Sequence, residues 1–119
     1  MIIQGVKLPD IDPAELDQLE LWELSFETFS KAITKAKTMK KASEAVRSQC
    51  FATFALFNQL FGDGTDKTIF GDRTNLVICM EAVQELVTAV NNKDQQNSEK
   101  ISSFVQKYSP TRATRPNAI

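Results

Sequence analysis

From Leu76 to Tyr108, apolar side chains return every three or four residues without losing phase. They run Leu76, Met80, Val83, Val87 and Val90, then Ile101, Phe104 and Tyr108, while Asp94 and Asn97 keep the register across the polar insert NNKDQQN. Because 3.6 residues make one turn, this spacing places them all on one side of an α-helix. A helix that stopped and restarted would have no reason to keep step. The pattern therefore predicts one helix over about 75–108, roughly 50 Å long at 1.5 Å per residue; the rival is a break near Asn91-Asn92. Ser109-Pro110 then reads as a stop signal, and the unperiodic TRATRPNAI makes 109–119 a flexible basic tail.

Two further stripes precede this one. Leu19, Trp22, Phe26, Phe29, Ile33 and Ala36 form the first, and Met39, Ala42, Val46, Cys50, Phe54, Phe57 and Phe61 the second. Carried along one straight helix, the two would point in roughly opposite directions and could not share a core. A turn between Lys37 and Ser43 resolves the conflict, although no glycine or proline marks it, and gives helices over about 13–37 and 43–61. The first has clear start signals: Asp12 as N-cap, Pro13 at the first helical position, Glu15 at the capping-box position, and Ile11 with Leu16 as a hydrophobic staple. Upstream, MIIQGVKLP has two short apolar pieces around Gln4-Gly5, read as a short β-hairpin or arm over 1–9. The expected fold is mainly all-α, an N-terminal β-hairpin or arm followed by a three-helix domain with a long C-terminal helix. With 119 residues the chain suits a single domain, 1–108, around one core.

The stretch LFGDGTDKTIFGDRTN, Leu60 to Asn75, holds three of the four glycines. A phosphate loop needs glycine directly before Lys67-Thr68, where Asp66 stands. A dinucleotide fingerprint would need glycine at position 67 and a preceding strand. A calcium loop starting at Asp63 would need an oxygen ligand at Lys67, glycine at Thr68 and a closing glutamate. All three fail. A connector accounts for every residue: Gly62 or Gly64 ends the second helix, Thr65 caps a short turn DKTIF that Gly71 ends, and Ile69 and Phe70 pin it to the core. Asp72, Thr74 or Asn75 then caps the long helix.

Catalysis has few candidates. The chain has no histidine, the commonest general base, and Asp10 and Asp12 read as helix-start decoration. Cys50 and Cys79 lie among apolar neighbours, as buried thiols acting as small hydrophobes do. No catalytic residue, cofactor or metal ligand is expected. No apolar run approaches the ~20 residues that cross a bilayer, and MIIQGVKLPD lacks the marks of a signal peptide. Residues 1–29 carry seven acids against Lys7, and 30–50 carry six bases against Glu44, within a net charge of −1. Acids early and bases late in a helix complement its macrodipole. A pI near 5.4 argues against a nucleic-acid footprint on Lys40, Lys41, Arg47 and the tail arginines.

What remains is surface for other proteins. Leu21 and Leu24 fall outside the first helix's main stripe, and Phe51 and Leu56 lie away from the centre of the second, with Trp22 at the edge of this spillover. Either a neighbouring element covers these five residues, or they serve self-association or helix binding.

The segments IIQGVKLPD, LFGDGTDKTIFGDRTNL and YSPTRATR together resemble small proteins from the tail-morphogenesis region of Gram-positive siphophages and prophages, similar to tail assembly chaperones. The likeness covers nearly the whole chain and is most specific in its centre; Pro116 after Arg115 departs from the paired arginines that often end such chains. The resemblance implies a non-enzymatic protein of the host cytoplasm that self-associates and escorts the helical tape-measure protein until tail-tube subunits replace it. A structural component retained in the finished tail is the alternative.

Overall fold

The computed structural model describes residues 1–108, so the expected basic tail lies outside the described residues. The fold is mainly helical with a short N-terminal antiparallel strand pair, as the periodicities predict. Strands β1 (Ile2–Ile3) and β2 (Val6–Lys7) precede helices α1 (Leu16–Ala36), α2 (Ala42–Phe61), α3 (Thr65–Phe70) and α4 (Leu76–Tyr108).

The hairpin pairs Ile2 with Lys7 and Ile3 with Val6. Its two turn residues, Gln4 and Gly5, both have positive φ, 49° and 78°, the combination that matches the right-handed twist of the flanking strands. Gln4 is a poor residue for that conformation. It is held there by Glu85 of α4, whose carboxylate accepts the Gln4 backbone N–H at 3.1 and 3.3 Å and also its side-chain amide. A tertiary contact 81 residues away in sequence thus fixes a local turn and carries Ile3 into the core at 0% exposure.

Helix α1 starts three residues later than its sequence signals imply. Asp12 begins a turn, accepting the Ala14 N–H on its side chain at 3.0 Å and the Glu15 N–H on its carbonyl at 3.0 Å. The reciprocal carboxamide comes from Gln18, whose Oε1 accepts the Asp12 N–H at 2.7 Å. Glu15 does not fill that role and makes no side-chain cap bond. The turn between α1 and α2 forms without glycine or proline because the helix end tightens. Lys37, Thr38 and Met39 donate to carbonyls three residues back, and the Thr38 hydroxyl donates to the Lys35 carbonyl at 2.7 Å.

The glycine-rich connector follows its expected logic. The Gly62 N–H closes α2 on the Asn58 carbonyl at 2.8 Å, and Gly62, Gly64 and Gly71 all have positive φ. Asn58 also accepts the Asp66 N–H on its side chain at 2.9 Å, tying the start of α3 to the helix before it. Phe70 is buried, its ring centre 5.1 Å from Phe54 and 5.8 Å from Phe57, while Ile69 packs half-buried beside the core. Asn75 caps α4, accepting the Ile78 N–H at 3.1 Å.

Helix α4 is continuous across the polar insert. Its fully buried side chains are Cys79, Ala82 and Leu86, with Val90 at 3% exposure, so the core-facing line runs about one residue off the stripe of large apolar residues. Leu76, Met80 and Val83 flank that line and stay partly buried. The polar middle is used as well, since Asn97 donates to the Asp12 carboxylate at 2.8 Å and binds α4 to the entry of α1. Beyond Asn97 no described side chain is buried, and Ile101 and Phe104 are more than half exposed.

Candidate functional site

The residues singled out as partner-binding fall into separate environments. On α1, Leu24 is 54% exposed and Leu21 37%, with Leu16 at 67% one to two turns earlier. Asp17, Glu20, Glu23 and Glu27 stand among them on the exposed side. This is an apolar strip set in carboxylates. Leu21 also lines a shallow groove of about 280 Å³ with Pro9, Ile11, Leu60 and Phe61, at the seam between the N-terminal segment, α1 and the end of α2.

Trp22 is half-buried, its ring centre 4.3 Å from Phe26, and packs against the core cluster. Most of its surface serves intramolecular packing. Leu56 must be corrected outright: it is 2% exposed and belongs to the core. Helix α2 packs against α1, α3 and α4, so its buried arc is wider than a single stripe, and the flank holding Leu56 is covered.

Phe51 remains at the surface, 54% exposed. It lies in a groove of about 450 Å³ lined by Ala42, Ser43, Val46, Arg47 and Thr74. Lys40 and Lys41 directly precede this groove in sequence, and Arg73 adjoins Thr74; all are exposed. Around this second apolar surface the exposed cations therefore outnumber the nearby anions, Glu44 and Asp72.

Sequence reasoning missed two other surfaces. A groove of about 690 Å³ follows the start of α4, with Leu76, Val77 and Met80 as its apolar floor and Glu81 and Glu85 beside them. Val77, 65% exposed, lies outside the main α4 stripe, and that displacement was its only signal. The other lies on the last described turns of α4, where Ile101 continues the phase of the stripe and is 58% exposed.

The groups that could have carried chemistry have structural surroundings. Cys50 and Cys79 are both buried. Burial, then the neighbouring Cys50 thiol, pushes the Cys79 thiol up to about 12, so neutral pH leaves it protonated and a poor nucleophile. Lys67 pairs with Asp72 at 3.7 Å across the end of α3, both side chains in solvent. No group of three or more histidine, cysteine, aspartate or glutamate residues is arranged to hold a metal among the described residues.

The model of a family of unknown function, DUF6673, matches residues 4–118 of the chain. No curated protein and no solved structure matches it.

Proposed function

The chain belongs to the DUF6673 family, and from its exposed helical faces we propose that it is a non-enzymatic binding protein of the tail-assembly-chaperone kind. In this reading it works in the cytoplasm of a bacterial host and holds the helical tape-measure protein in solution during tail assembly. The observation that carries the reading is the distribution of large exposed apolar residues. Leu16, Leu24, Phe51, Val77, Ile101 and Phe104 are each more than half exposed, on three different helices, and two of them, Phe51 and Val77, line open grooves.

Such a surface suits a long amphipathic partner. A helix lays its apolar face into a groove through anchors three and four residues apart, and several shallow grooves can hold several turns of it. Because the partner must later be handed to tail-tube subunits, many modest contacts serve better than one tight pocket. Shielding its apolar stripes until then prevents aggregation. No described helix is long and apolar enough to cross a membrane, so these faces are not explained by a membrane span of the described chain.

The test is solubility. A tape-measure protein expressed alone is expected in the insoluble fraction, and co-expression with this chain is expected to move most of it into the soluble fraction. An unchanged partition would overturn the reading. Finding the chain in purified virions would favour the retained tail component instead.

A further inference from the structure

Two of the exposed surfaces are complementary to each other. The α1 strip is leucine-rich and acidic, carrying Leu24 with Glu20 and Glu23, while the α2 groove is aromatic and net basic, carrying Phe51 and Val46 with Arg47 and, beside it in sequence, Lys40, Lys41 and Arg73 against Glu44 and Asp72. None of Glu20, Glu23, Arg47 and Arg73 has an ion-pair partner among the described residues. Their charge is available to another chain. Leu24 and Phe51 supply one apolar anchor on each side, and an aromatic residue in a groove is the usual centre of binding energy in an interface.

We propose that the acidic leucine face of α1 in one copy docks into the basic Phe51 groove of α2 in a second copy. The proposal deepens the chaperone reading by naming the chain's own partner surface, and it is measured without any tape-measure protein. Both halves are exposed in the same molecule, on different helices. A copy engaged through its α1 face therefore still offers its groove. The contact is heterologous, joining unlike surfaces head to tail, and repeats into an open run or closes as a ring. Opposite charges around the anchors steer the encounter and fix its direction, because groove on groove or α1 on α1 would bring like charges together.

The test uses two full-length variants with substitutions at exposed positions, each checked for unchanged helicity by circular dichroism. Leu24→Arg spoils the α1 face and keeps the groove; Phe51→Glu spoils the groove and keeps the face. Wild-type chain is expected to associate in sedimentation velocity, and the association is expected to weaken at least tenfold between low salt and 0.5 M salt. Each variant alone is expected to remain at the 13.3 kDa monomer mass. Mixed, the two are expected to form a dimer of twice that mass and nothing larger, because only one intact face and one intact groove meet. Monomeric wild type, a single variant that still associates, or a mixture that stays monomeric would each overturn the proposal. All of these outcomes are read independently of tape-measure solubility, so failure of this interface and failure of the chaperone reading give different results.

Discussion

Leu56 and Leu24 are both leucines on helices with apolar stripes, yet one is 2% exposed and the other 54%. That difference separates what folds the chain from what it can offer to others. Truncating Leu56 to alanine leaves a cavity under α2 and is expected to cost about 2–5 kcal/mol of stability. Truncating Leu24 removes little area buried within one chain, and at concentrations low enough to keep the chain monomeric its effect is expected within about 0.5 kcal/mol. Urea unfolding of the two variants checks this, and equal losses would contradict the assignment. The sequence alone does not divide these two residues. Both sit off the centre of their stripes, and only the packing of α2 against its neighbouring helices places Leu56 inside. Small buried residues hide for a related reason. Cys79 and Ala82 are fully buried on α4, but the larger apolar residues Leu76 and Met80 beside them dominate the sequence pattern.

At the scale of elements, local signals set the type and tertiary contacts set the ends. The entry to α1 is held by Asp12, whose carboxylate takes the Ala14 N–H and then the Asn97 amide of α4. Those bonds favour the charged form and hold the Asp12 carboxyl below its ordinary value of 3.8. The sign follows: the stabilisation is fully present above the ordinary value and is lost as pH falls through the lowered one. In thermal melts, wild type is expected to exceed Asp12→Asn by a constant margin near neutral pH, with the gap closing as pH falls below the ordinary value of 3.8. A gap independent of pH would show that the charge of Asp12 plays no part. Proline, aspartate and the apolar staple announced a helix entry here, three residues ahead of where α1 begins. The substitution of Gln18 for Glu15 in the reciprocal bond could not be read, because both spacings place an amide or carboxylate near the first turn. The anchoring of the Gln4 turn by Glu85 was equally hidden, since nothing local pairs residues 81 apart.

At the scale of the molecule, extents of 62 × 31 × 22 Å and a radius of gyration of 18.6 Å describe an elongated body. A compact domain of this length would have a radius of about 13 Å. The excess comes from α4, whose last turns run beyond the hairpin and the entry of α1. Phase kept from Leu76 to Tyr108 made this rod predictable, whereas the division of the exposed residues into an acidic face and a basic groove needed the packing of α1 on α2. The central claim is that apolar helical faces, rather than a reaction centre, carry the function. Its most direct test is retention of a tape-measure protein on size-exclusion chromatography with light scattering, comparing wild type with the Leu21→Ser, Leu24→Ser double variant. The wild-type chain is predicted to co-elute with its partner in many copies and the folded double variant to lose most of that mass; equal retention by both would contradict the account.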